Sequence, residues 1–493
     1  MRGWRRGGLP GWGALALGFA FSLNVGQARA ADPASLEAQL HDWLAALLGP
    51  RAELGERPVR VTAQGDHFAL AVPIAGTVGA SGIILAGPAA TADARSLGDG
   101  RWALDHIRLP SPLGIAVASG EGPSVWTITM QDQDEHAVID PTLATTSSWD
   151  GQIGGYAARA QGPQGERHSE AAHVVTHVTW QPAANGRVDV TETASSDLVS
   201  STSRVAKVGL MSLSAAHSRF DAHIDALAPD RIAPLVHAAL DLAVPLLAPA
   251  SGAAAGTPAP HMTPEIRSAL GKLLDAADGL LGGFGERAKL EDVHIQGPMG
   301  NATVQAMAFG TSASAPDGRL QLRADMVLDG LDSDALPPGP LHGYLPRHIA
   351  LAPRVSGLQA DRVFALLRRA AASDGKDPTL ESDAEAIVHD GPLAIGLDKV
   401  AADFGPATLA ASGEMHILGR DEISGHAHVR MTGLETLIHD AQAEPTLAQA
   451  VPMLIFLKGI GESAGGATVW DIAYNNGRLL VNGTDMSQMM PGK

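Results

Sequence analysis

The chain reads as an α+β protein: antiparallel, strand-rich, curved or elongated sheet with a few amphipathic helices, and a strand–turn–helix unit duplicated inside it. Three observations predict this class. Short runs that alternate apolar and polar residues fill two long blocks. Hairpin-type turns punctuate them, as at Asn185-Gly186 and Asn475-Asn476-Gly477, where Asn and Gly both tolerate positive φ. Each block also carries the same motif: Leu227, Asp230, Arg231 and Leu235 recur at identical offsets as Leu358, Asp361, Arg362 and Leu366, and Met431 to His439 is a shorter version. Each copy is expected to be a strand leaving into a turn, an Asp at the N-cap, then an amphipathic helix. Strand blocks closed by helices are an α+β pattern.

Residues 1–30 have the form of a secretory signal. Arg2, Arg5 and Arg6 give a basic start, Leu15 to Val25 an apolar run, and Ala28-Arg29-Ala30 an A-x-A cleavage site. The apolar run is short for a membrane span, which needs about 20 strongly apolar residues. The expected mature chain starts at Ala31 and is periplasmic or secreted, an uncleaved anchor being the alternative.

Asp32-Pro33 then opens a helix whose Leu36, Leu40, Trp43, Leu44 and Leu47 share a face, until Gly49-Pro50 ends it. From Pro58 to about Phe220 the pattern is strand, including Val125 to Thr129, Val174 to Trp180 and Val188 to Val190. The first motif copy closes this block with a helix from Asp230 to about Leu247, in which Pro234 and Pro245 are expected to cause kinks. Residues 251–262 are a small-residue, proline-containing linker, and the predicted boundary between residues 31–250 and 263–493. Thr263-Pro264 caps a further helix whose apolar positions run from Ile266 to Leu280 and Phe284.

The second block repeats the plan. Leu320 to Leu328 alternates with polar residues, His348 to Val355 is a strand, and the second motif copy gives a helix to about Ala372. After a charged stretch from Asp374 to Glu385 come strands near Leu393 to Leu397, Ala407 to Leu418 and His426 to Met431, and a final hairpin from Trp470 to Val481.

Composition narrows the function. The formal net charge is −18, and loss of residues 1–30, with four arginines and no acids, takes it to −22. Such a surface repels nucleic acid and anionic headgroups. With no cysteines, an exported chain has neither disulfides nor a lipid-modified N-terminal Cys. No glycine-rich phosphate loop links a strand to a helix, so no nucleotide, and no other cofactor, is expected.

The strands running into Gly357-Leu358 and Gly433-Leu434, each followed by a short helix, and the ending Tyr474 to Gly483, resemble the strand-rich envelope proteins of the YdgA-like and AsmA-like kind. That resemblance implies an elongated, curved periplasmic sheet, in the AsmA-like case with a groove suited to lipid chains. This chain departs from those families in having what looks like a cleavable signal in place of a retained anchor.

Few residues invite chemistry. Gly461-Glu462-Ser463-Ala464-Gly465 matches the G-x-S-x-G nucleophile elbow, which needs a strand before the Ser, a helix after it and a downstream His. Val451 to Leu457 is the candidate strand, but Ala467 to Tyr474 also alternates like a strand, and no His follows His439. Among 19 histidines, His426 with His428, and His173 with His177, each fall on one side of a strand without a third ligand at metal spacing. Asp132, Asp134 and Glu135 lack the order of a calcium loop and read as a solvated turn. No catalytic or metal-binding residue is assigned. Arg231 and Arg362 are the candidate binding residues, able to meet an anionic ligand or partner, with local pairing as the structural alternative. The expected function is a non-catalytic envelope protein that binds a hydrophobic ligand or lipid in a sheet groove. An envelope assembly or scaffold protein working through protein contacts is the alternative, and a serine hydrolase at Ser463 the remote one.

Overall fold

The computed structural model describes residues 33–49, 59–73, 76–77, 83–98, 100–117, 124–140, 145–163, 165–205, 209–247, 263–298, 300–334, 343–373, 377–419, 422–444 and 448–487. The targeting segment expected at residues 1–30 and the linker expected at 251–262 lie outside these residues. The fold is α+β and strand-rich, as the periodicity predicts. Contacts divide the chain into two units, Met1–Phe284 with Ala371–Asp374, and Gly285–Ala370 with Gly375–Lys493.

In the first unit the helices are α1 Pro33–Leu48, α2 Ile232–Leu247 and α3 Pro264–Ala277. Its strands are β1 Arg60–Gln64, β2 His67–Val72, β3 Gly76–Thr77, β4 Ile83–Ala86, β5 Ala90–Ser96, β6 Trp102–Arg108, β7 Leu113–Val117, β8 Ser124–Asp140, β9 Thr145–Gly162, β10 Gly165–Pro182, β11 Val188–Val205 and β12 Gly209–Leu227. All pair antiparallel, in the order β1-β2-β5-β6-β8-β9-β10-β11-β12. One part of β8 pairs with β6 and the other with β7, which leads on to β4 and β3.

Left-handed residues interrupt the long strands at neighbouring positions: His106 in β6, Asp132 in β8, His173 in β10 and Leu198 in β11. At His106, His173 and Leu198 this coincides with a break in register, so each is a bulged residue that bends its strand, whereas at Asp132 the β8–β9 register continues unbroken. Asp132, Asp134 and Glu135 therefore sit inside β8, and the turn expected there does not exist. His and Asp tolerate the left-handed conformation well, which explains how a strand can absorb it.

The core of this unit has two parts. Leu36 and Leu40 of α1 pack on Trp102, Leu104, Ile107, Ile139 and Trp149 of the sheet. Leu47, Trp180, Val190, Leu227, Ile232 and Leu280 form the second cluster. The Thr263 hydroxyl accepts from the Ile266 amide at 3.3 Å, capping α3 as the sequence predicts. The helix stops at Ala277, however, and Phe284 lies in a strand, because Gly279 at φ 67 ends the helical path. No kink is needed at Pro234, which sits in the first turn of α2, where its missing N–H has no helical acceptor.

The next strand, β13 Gly283–Gly297, starts at the division between the units. The remaining strands are β14 Gly300–Ser314, β15 Arg319–Asp329, β16 Asp332–Ser333, β17 His348–Gln359, β18 Leu393–Asp403, β19 Thr408–Ile417, β20 Ile423–Thr432, β21 Glu462–Ala464, β22 Ala467–Asn475, β23 Arg478–Val481 and β24 Thr484–Asp485. Those of the second unit pair antiparallel in the order β14-β15-β17-β18-β19-β20-β22-β23-β24. The helices are α4 Ala360–Ser373, α5 Leu380–Asp390, α6 Leu434–Ala443 and α7 Val451–Ile460. Two of these correct the sequence reading. The charged stretch before Glu385 leads into α5, and Val451 to Leu457 is helix, because its apolar run packs Leu454 against the Trp470 cluster instead of pairing edge to edge.

The three motif copies share a local geometry. Each strand passes into its helix through a left-handed residue directly before the leucine: Ala226 at φ 50, Gly357 at φ 109 and Gly433 at φ 72. Asp230 and Asp361 lie inside the first helical turn, and no side chain caps the turn at Asp230. The strand runs straight into the helix, so the acid meets the helix dipole from within, at the second helical position, two residues past the N-cap.

Candidate functional site

The second unit's sheet has one apolar face and one polar face. Because side chains alternate and the register is antiparallel, residues paired across strands lie in transverse rows. One row runs Leu322, Val355, Ile395, Met415, Gly425, Tyr474, Leu479. Beside it lies Pro353, Leu397, Gly413, Ala427, Ile472, Val481. Further along the strands are Leu351 with Met326 and Val400, and Leu409 with Ala402 and Met431. At strand spacings of about 4.8 Å, the first row spans about 29 Å.

This face is only partly covered. Leu434, Leu437, Ile438, Leu454 and Ile460 of α6 and α7 pack on Trp470, Val429 and Met431 at one end. Away from that end, Leu322 is 40% exposed, Ile395 39%, Leu397 41% and Met415 37%. Leaving large apolar side chains in water forgoes about 1.5–3 kcal/mol for each one that full burial would stabilise. A contiguous array of them on one face marks a surface built to be covered.

The opposite face is held by charge and hydroxyls. Arg354 reaches Asp398 and Glu414 at 3.1 Å each, His348 lies 2.6 Å from Asp329, His428 lies 2.6 Å from Asp471, and the Thr408 and Thr432 hydroxyls lie 2.6 Å apart. Those contacts fix the register, and with it the side on which every apolar residue emerges.

The residues singled out in the sequence fall elsewhere. Arg231 donates through Nη1 to the carbonyls of Asp278 at 2.8 Å and Asp275 at 3.3 Å, at the C-terminus of α3. Arg362 pairs with Asp390 at the end of α5. Each arginine thus ties its motif helix to the next helix in the chain. Ser463 follows α7 and lies in β21 opposite Thr468, an order of helix, serine and strand that reverses the nucleophile elbow. His173 and His177 are exposed on one side of β10, at 3.6 Å from Asp197 and beside Asp150 at 2.5 Å respectively. His426 and His428 project from the polar side of β20. Among the described residues no three His, Asp or Glu side chains gather as metal ligands.

The first unit holds two buried acids that sequence reasoning missed. Glu135 of β8 and Glu192 of β11 are each 3% exposed on the core-facing side of the sheet, in the same region as Trp149 and Val178. Burial pushes both carboxyls up to about 7, and only Glu135 gains a donor, the indole of Trp149. Neither oxygen of Glu192 has a partner among the described residues. Alternation was the available signal, since Val188, Val190 and Glu192 occupy one phase of β11.

Comparison of the chain with family models, with curated proteins and with solved structures gives no match. No helix among the described residues is long and apolar enough to cross a membrane.

Proposed function

We propose that this is an exported, non-catalytic periplasmic or envelope protein that binds a hydrophobic ligand, most simply a lipid acyl chain, on the apolar face of its second sheet. The observation that carries the reading is the exposed row of Leu322, Ile395 and Met415, continuous with Leu397 and backed by a polar face. A flexible alkyl chain suits such a face, because it needs neither hydrogen bonds nor a closed cavity and gains about 0.8 kcal/mol per buried CH₂. The likeness to AsmA-like envelope proteins, and the signal-like residues 1–30, support the same direction.

The test is organic extraction of the purified mature protein, with titration of a fluorescent fatty acid. Co-purifying lipid and saturable uptake are expected, with uptake reduced in Ile395→Glu. No lipid and no uptake would remove the reading.

The second reading, an envelope assembly or scaffold protein, is favoured by α7, where Met453, Ile455 and Phe456 point outward. Site-specific crosslinking from position 456 in the envelope should then capture one defined protein, and a clean monomer would count against it.

A further inference from the structure

The first unit carries an open groove of about 600 Å³ on the side of β1, β2, β5 and β6 facing away from its core. Register places its main residues in two rows. The first runs Arg60, Ala71, Thr91, Arg108, and the second Thr62, Ala69, Asp93, with His106 next to it at the β6 bulge. Arg60 and Arg108 therefore stand about 14 Å apart at the backbone, three strand spacings, over a floor of small side chains. Two extended arginines can close that span from opposite walls.

Three features make this a site for a particular chemistry. Among the described residues neither Arg60 nor Arg108 makes an ion pair or hydrogen bond, although the chain has 53 acids against 35 basic residues. Asp93 is also without a partner there, while its neighbour Asp105 is engaged by His136 at 3.1 Å and Arg95 at 3.8 Å. Thr62 and Thr91 add hydroxyl donors to the floor. Opposed guanidiniums suit a tetrahedral phosphate, whose oxygens point to both walls, better than a planar carboxylate, which one guanidinium saturates. An isolated acid in the same groove disfavours a bare polyanion and calls for a cationic donor beside the phosphate.

We propose that this groove binds a phosphate ester that also carries an amine, its phosphate between Arg60 and Arg108 and its ammonium on Asp93. The ester can be a free metabolite or the headgroup of a phospholipid. The site is independent of the apolar face in the second unit.

The test uses the full mature chain and calorimetric titration with O-phosphoethanolamine, inorganic phosphate and ethanolamine at low salt. O-phosphoethanolamine should bind saturably and more tightly than phosphate, and ethanolamine should not bind. Arg60→Gln and Arg108→Gln, checked for folding by circular dichroism, should each weaken binding by about tenfold or more. Asp93→Asn should abolish the preference for the amine-bearing ester while leaving phosphate binding. Should a variant misfold, protection of Arg60 and Arg108 from phenylglyoxal by O-phosphoethanolamine in the wild-type chain provides the same reading. Flotation with phosphatidylethanolamine vesicles separates the sources: vesicle binding lost in Arg108→Gln identifies a headgroup, and binding of the soluble ester alone identifies a free one. Absence of saturable binding, or binding indifferent to both arginines, overturns the proposal. Equal affinity for phosphate and the amine-bearing ester overturns the role of Asp93.

Discussion

Ile395 and Met415 face each other directly across β18 and β19, on the apolar side of the sheet, and both are more than a third exposed. A well-packed core does not leave such a pair uncovered. Ile395→Glu should therefore cost little stability, within about 0.5 kcal/mol as at other exposed positions. It should nonetheless weaken fatty-acid uptake by about tenfold or more, because a charge then has to be desolvated under the ligand. Urea denaturation and fluorescent titration of the same sample check both halves. A large loss of stability would mean that the face is buried in the free protein.

Glu192 gives a pH prediction. Its carboxyl is pushed up from 4.5 to about 7 by burial, so the native state holds the proton more tightly than the unfolded chain. Stability is fullest below about 4.5 and falls as pH rises through about 7. The shift corresponds to about 3 kcal/mol as an upper bound. Glu192→Gln should be more stable than wild type at pH 8, nearly equal to it at pH 4.5, and flatter between. Unfolding followed by tryptophan fluorescence at the two pH values tests this, and parallel profiles would refute it.

Gly433 and Gly357 lead to a third expectation. A Cβ on either would lie 2.0 Å from a backbone carbonyl, that of Pro406 or Pro392, in a left-handed conformation that already disfavours side chains. Alanine at either position should destabilise the second unit by well over 1 kcal/mol. Ala226→Gly at the matching point of the first copy should be neutral or stabilising, since Ala226 holds φ 50. Thermal melts of the three variants decide it, and equal effects of opposite expectation would break the parallel.

Trp470 anchors the covered end of the apolar face. Its indole donates to the Leu457 carbonyl at 2.9 Å while its ring packs with Leu434 and Val481. Trp470→Ala should cost about 3–5 kcal/mol and release α7. Hydrogen exchange over Val451–Ile460 should then rise first, ahead of α6.

Much of the fold is legible in the sequence because local rules decide it. Asn185-Gly186 and Asn476-Gly477 adopt the left-handed turns their residue types favour, and Thr263 caps its helix. Long-range effects were not legible. Glu135 looked solvated among Asp132 and Asp134, yet beyond the left-handed residue at Asp132 the buried phase of β8 changes from Met130 to Glu135, Ala137 and Ile139, which turns Glu135 inward. Val451 to Leu457 has apolar content compatible with strand or helix, and only packing on Trp470 distinguishes them. The apolar face itself lies in the alternation of Leu320 to Leu328 and its neighbours. That one side would remain uncovered depends on which helices fold back, and no single strand carries that information.

The most direct measurement is photocrosslinking of the mature protein with a diazirine fatty acid, followed by mass-spectrometric mapping of the adducts. The account predicts adducts concentrated at Leu322, Ile395, Leu397 and Met415, and lost on competition with unlabelled fatty acid. Adducts confined to α7 or scattered over the polar face around Arg354 and His428, or insensitive to competition, would contradict it.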